Sequence, residues 1–308
     1  MESTAIKKVG NKPTKVSFWE SDFAVNLMYV PALLMFLLFV AYPFLSGIRI
    51  SFTNWNGFAQ AYSYIGFKNY LDLFKDKYFW TALFNTIIYG VGSTFFQQIL
   101  GLSYAIFLNR KFRGRTTTRT FIYMPVLIAA IIMGYMWYFL LQYDGGAIND
   151  ILILFNQEPV DWLANGKLAV WLMVGVNVMQ FVGVSMVIYL AGLQGIPNMY
   201  YEAADIDGTT HWQKFRHITL PLLMPSITTS VTINLIGGLK LFDVIQALTN
   251  GGPGYSSHSL STLINYTYFR VQSAGYAAAI GLILFLFIMT VSLSMQQYFK
   301  RKEVDYKS

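Results

Sequence analysis

The residues whose types and spacing could do chemistry are polar side chains set inside long apolar runs. Asn177 and Gln180 stand in one run, and Asn234, Lys240, Asp243 and Gln246 in another. Residues three apart on a helix share a face, so Asn177 with Gln180, and Lys240 with Asp243, are each predicted to line one side of a helix. In an apolar medium such groups are costly and turn toward a bundle interior or a cavity. Amides and carboxylates placed there hydrogen-bond hydroxyls, while Met179 and Phe181 beside Gln180 offer apolar surface for ring faces. Lys240 and Asp243 have a second reading, an ion pair that lowers the cost of two buried charges.

Bond-making chemistry finds little support. His211, His217 and His258 fall in loops or near the ends of apolar runs, and the first two are six apart, off a common helix face. The sequence has no cysteine, which excludes disulfides and thiolate ligands. It shows no Walker-type phosphate loop and no Ser-His-Asp or paired-carboxylate arrangement. The chain is therefore read as a non-enzyme with no cofactor or metal of its own.

The elements that hold these residues follow from composition. Of 308 residues, 55% are hydrophobic and 12% charged, where soluble domains carry about 25% charged residues; mean hydropathy is +0.44. A membrane span needs about 20 mostly apolar residues. Six segments qualify: 27–48, 83–108, 121–141, 168–193, 222–248 and 276–298. The predicted fold is an all-α integral membrane protein, with a polar tail at 1–26 that does not read as a cleavable signal, a bundle at 27–299 and a second tail at 300–308. No short-period repeat or domain linker interrupts it.

Net charge is +7, but the cations sit in short loops, a topology signal and not a nucleic-acid face. With the N-terminus inside, fifteen Lys and Arg fall on the inner side, among them Arg110, Lys111, Arg113, Arg115 and Arg119, against six outside. That bias predicts both termini in the cytoplasm. Trp55, Trp80, Trp137, Tyr138, Trp162 and Tyr298 lie near predicted span ends, as interfacial aromatics or as packing residues.

The loop at 194–220 is too polar to span. Pro197 suits a first helical turn, Glu202 and Asp205 favour the positive dipole end, and Gly208 is a natural stop. Thr210 with Gln213 reads as a capping box that restarts a helix, and Pro221 opens the fifth span. On spacing alone this is either a lever that a partner grips or an ordinary interfacial helix with its acids in water.

Here the sequence resembles a known family. Glu202-Ala203-Ala204, then Gly208, then Ile218, Leu220 and Pro221 are similar to the signature of permease subunits of ABC importers. The resemblance implies that this loop, between the fourth and fifth spans, forms a coupling helix that docks on an ATPase subunit through Tyr201, Glu202, Ala203, Ala204, Asp205, Asp207 and Gly208. Leu241-Phe242-Asp243, with the Thr249-Asn250-Gly251-Gly252-Pro253-Gly254 turn, is similar to the carbohydrate-uptake branch. So are Trp55-Asn56 and the Gly66, Phe67, Asn69, Tyr70 group. The turn breaks the fifth helix and rests against a substrate-delivery protein or simply connects.

The resemblance places sugar contacts at Asn177, Met179, Gln180, Phe181, Asn234, Gly238, Leu241 and Asp243. Gly238 and Leu241 offer no side-chain hydrogen bonds, which fits a subunit lining a wide path. It also implies a second homologous permease, two ATPase chains that bind ATP and Mg, an extracytoplasmic sugar-binding protein, and residence in a bacterial cytoplasmic membrane. An importer of amino acids, phosphate or ions is the alternative; it would share the coupling loop, without the Thr249–Gly254 turn. A secondary transporter or channel would need no ATPase.

Overall fold

A computed structural model describes residues 22–305. The tail cations Lys7, Lys8, Lys12, Lys15 and Lys307 lie outside the described residues. Two compact units meet at Arg49 and Ile50. The helix α1 (residues 22–51), which falls in the first unit up to Arg49, carries a π-helical turn at Leu37–Ala41. Many large apolar side chains between residues 29 and 45, among them Leu34, Phe39 and Leu45, are exposed.

The second unit is helical almost throughout, because a chain in lipid must satisfy its backbone hydrogen bonds within each segment. A short α2 (Lys68–Lys75) leads to the long α3 (Lys77–Asn109). The chain then bends: α4 (Arg115–Leu127) and α5 (Ala130–Leu140) meet at 96°. After α6 (Ala147–Leu154) comes α7 (Gly166–Gln194). Two short helices follow, α8 (Met199–Ile206) and α9 (residues 211–222). Then come α10 (Met224–Leu239), α11 (Asp243–Leu248), α12 (Leu260–Phe269) and α13 (Ala274–Asp305). Among the described residues there is no strand, only an isolated bridge between Thr53 and Tyr64.

Among the described residues, five helices are long and apolar enough to cross a membrane, or six if the α4–α5 pair counts as one span. The predicted third span is thus not a straight rod. The 3-10 turn at Met124–Leu127 and the extended Ile128 and Ala129 break it. Pro125 opens that 3-10 turn, and a proline there removes a helical donor.

Small residues let the helices approach closely, the usual basis of packing in lipid. A Cβ added at Gly101 of α3 would lie 2.4 Å from Ser185 Cβ of α7. One at Gly238 of α10 would lie 2.9 Å from the Gly90 Cα of α3. Three buried apolar clusters make up the core. The first holds Tyr89, Met133, Met173, Val244 and Ile245. The second holds Leu73, Phe79, Leu239, Leu263 and Ile280, and the third Leu108, Met186, Leu190 and Leu223.

Candidate functional site

A cavity of about 300 Å³ opens between α3, α5, α7 and the α10–α11 break. Six of the eight residues at which sugar contacts were expected line it together: Asn177, Phe181, Asn234, Gly238, Leu241 and Asp243. Met179 and Gln180 do not. Two residues on from Asn177, Met179 turns to the opposite side of α7 and is 43% exposed. Gln180 is buried, and its Nε2 donates 2.9 Å to the carbonyl of Ile128. It thereby satisfies an oxygen freed by the bend between α4 and α5, which gives it a positioning task instead of a cavity face.

The expected pairing of Lys240 with Asp243 also fails. The chain leaves the helix at 240–242, so the three-residue spacing no longer places the two on one face. Among the described residues no ion pair joins them. Lys240 caps the C-terminus of α10 and Asp243 opens α11. Each charge sits at the helix end whose dipole favours it, and both reach the cavity.

The cavity amides are held by a buried network. Gln97 Nε2 donates to the main-chain oxygen of Asn177 at 3.1 Å and to its Oδ1 at 3.0 Å. Asn234 Nδ2 donates to Ser185 Oγ at 2.7 Å and to the Ser230 carbonyl at 2.9 Å. Ser230 and Tyr189 in turn donate to Gln98 Oε1. Gln97 and Gln98, not singled out above, carry a readable signal: adjacent amides in the middle of an apolar run.

The polar loop folds as two helices around a corner. Pro197 lies before α8 and not in its first turn; Asn198 takes the cap position. Gly208 adopts φ +68°. Its N–H donates to Asp205 O and that of Thr209 to Ala204 O, each at 3.1 Å, which closes the helix as a Schellman motif. The Thr210–Gln213 capping box is present. Ala204 is buried, and Tyr201 Oη meets Thr219 Oγ1 at 2.9 Å. Lys214 bonds Asp205 across the corner. Glu202, Ala203, Asp207 and the 88%-exposed Ile206 are left facing outward. Pro221 falls in α9; Pro225 opens the long α10 instead.

The turn after α11 is anchored from α3. Asn85 Nδ2 donates to the Ser256 and His258 carbonyls, and Tyr89 Oη to the Ser257 carbonyl at 2.8 Å. Gly251, at φ +88°, leaves room for the His258 ring, which a Cβ would meet at 2.1 Å. Burial lowers the His258 pKa from 6.5 to about 4. A hydrogen bond donated to Tyr266 raises that of Tyr255 to about 12.

Residues 97–304 match the family described as binding-protein-dependent transport system inner membrane component. The chain belongs to this family. Relatives of this inner membrane component run the length of the chain. A probable starch degradation products transport permease of Thermoanaerobacterium thermosulfurigenes is 34% identical, over 94% of this chain and 99% of its own. A trehalose/maltose permease of Thermococcus litoralis is 32% identical, over 92% and 95%. A multiple sugar-binding transport permease of Streptococcus mutans is 34% identical, over 97% and 99%. The fold is that of a chain in a crystallised bacterial ABC transporter for import of the acidic polysaccharide alginate. The TM-score is 0.80 at 24% identity, covering 92% of this chain and 97% of that one. A second structure of the alginate transporter holds a periplasmic protein bound to an alginate pentasaccharide; it matches at a TM-score of 0.80 and 23% identity, over 93% and 98%. This inner membrane component is a multi-pass membrane protein, and its amide-lined cavity lies between the helices that flank the α8 corner.

Proposed function

We propose that the chain is the permease subunit of an ATP-driven oligosaccharide importer and lines half of the translocation path. The observation that carries this is the cavity itself. Side-chain amides and one charge of each sign, Lys240 and Asp243, converge there with Phe181, in a volume of about 300 Å³. That combination suits a neutral, hydroxyl-rich ring compound. The sugar systems named among its relatives support a saccharide as cargo over an amino acid, phosphate or ion.

In this reading α8 is the coupling helix. Its outward Glu202, Ala203 and Asp207 form the contact with one of two ATPase chains, which bind ATP and Mg. Tyr201 and Asp205 tie the helix to α9, so that motion of the ATPases reaches α10 as a rigid displacement. A second homologous permease completes the path, and an extracytoplasmic sugar-binding protein delivers cargo on the face of the Thr249–Gly254 turn. Both termini then lie in the cytoplasm of a bacterial cell. ATP-driven closure of the ATPase pair shifts the population between inward- and outward-open cavities.

Purification of the intact complex in mild detergent, followed by reconstitution and uptake assays, tests this. ATP-dependent uptake of neutral oligosaccharides, with a saccharide retained by the purified complex, is the expected result. Uptake of amino acids, phosphate or metal ions with no saccharide transported would overturn it.

A further inference from the structure

One buried side-chain atom of a residue that lines the cavity has no partner. Gln97 is 1% exposed, and its Oε1 accepts no hydrogen bond among the described residues. Its orientation is fixed chemically. The main-chain oxygen of Asn177 can only accept, so the Gln97 NH₂ must face it, and the amide oxygen points the other way. Asn177 Oδ1 is taken by the same NH₂, which leaves the Asn177 NH₂ as the group free for the cavity. Asn234 is pinned by the same logic: its NH₂ donates to the Ser230 carbonyl and to Ser185, which leaves Oδ1 open.

We propose that Gln97 Oε1 is a substrate-hydroxyl acceptor, and that Gln97, Asn177 and Asn234 present an acceptor, a donor and an acceptor to cargo. A hydroxyl both donates and accepts, so this set matches a polyhydroxy ligand group by group. It rejects a ligand that offers only acceptors, because a buried carbonyl left unpaired is costly. The inference rests on the reading of the chain as an oligosaccharide permease and adds to it a residue of α3 that selects the cargo.

The experiment uses the reconstituted complex with a panel of neutral di- and trisaccharides and their singly deoxygenated forms. For a transported saccharide, one deoxy form should be taken up about tenfold less efficiently than its parent, as the loss of one hydrogen bond of about 1.4 kcal/mol requires. Gln97→Met should abolish that difference by lowering uptake of the parent, while leaving the deoxy form near its wild-type value. If every deoxy penalty survives in Gln97→Met, the proposal is overturned though the permease reading stands. Transport of none of the panel by the wild type removes the permease reading and the proposal with it. Because the chain has no cysteine, Gln97→Cys and Asn234→Cys supply an independent check. A small water-soluble thiol reagent should modify both in the assembled transporter. Modification at 234 alone would show that position 97 does not face the path.

Discussion

Asn85 and His258 stand 173 positions apart, yet the amide of the first donates to the carbonyl of the second at 3.0 Å and to that of Ser256 at 2.7 Å. One side chain of α3 therefore holds the loop between α11 and α12, and Tyr89, one turn on, holds Ser257. Replacing Asn85 by Leu leaves two carbonyls without their donor, at about 1–3 kcal/mol each. Asn85→Leu should lower the thermal midpoint of the purified protein well below that of Tyr89→Phe, which takes the donor from only one carbonyl, that of Ser257, and from the weakly accepting Met173 sulfur. Equal midpoints for Asn85→Leu and wild type would show that the anchor contributes nothing.

Glu202 faces outward from α8, whereas Asp205 is tied to Lys214. Glu202→Lys should abolish saccharide-stimulated ATP turnover of the assembled transporter while the chain still inserts into the membrane. Asp205→Asn breaks an ion pair whose carboxylate is largely exposed, and such pairs contribute at most about 1 kcal/mol. It should leave the thermal midpoint nearly unchanged. Normal stimulated turnover in Glu202→Lys would count against α8 as the ATPase contact.

Gly101 sits at a close approach of α3 and α7, against Ser185. Its substitution by Leu would force the helices apart, and overpacking of this kind costs about 1–3 kcal/mol or more. The cavity network would suffer as well, since Gln97 lies one turn away on α3 and bonds Asn177 of α7. Gly101→Leu should reduce both midpoint and uptake, whereas Gly101→Ser should be the milder change. An unaffected Gly101→Leu would refute the close packing.

Much of this was legible in the sequence because each signal was local. Apolar run length gave the long helices, and the Gly208 corner and the Thr210–Gln213 box depend on neighbours a few residues apart. What stayed hidden depended on breaks in the helix or on distant partners. The three-residue spacing of Lys240 and Asp243 presumed a helix that stops at Leu239. Gln180 is drawn away by a carbonyl 52 positions upstream, freed by the bend. Gln97 gains its meaning only from Asn177, 80 positions on.

His258 gives the anchored loop a pH dependence. Its ring packs against Tyr255 and Tyr266, and Nδ1 lies 3.0 Å from Thr262 Oγ1, in a buried setting. Burial disfavours the imidazolium, so the folded pKa is about 4 against 6.5 for the free side chain. Between those values the unfolded chain binds a proton that the folded one does not, and stability rises with pH. The contribution is complete above pH 6.5 and is lost progressively as pH falls toward 4. Thermal midpoints measured in detergent across that window should fall more steeply for wild type than for His258→Gln. The Gln variant has no group to titrate at this position, and its amide can reach Thr262. Parallel curves for the two proteins would show that His258 does not titrate in the way its burial requires.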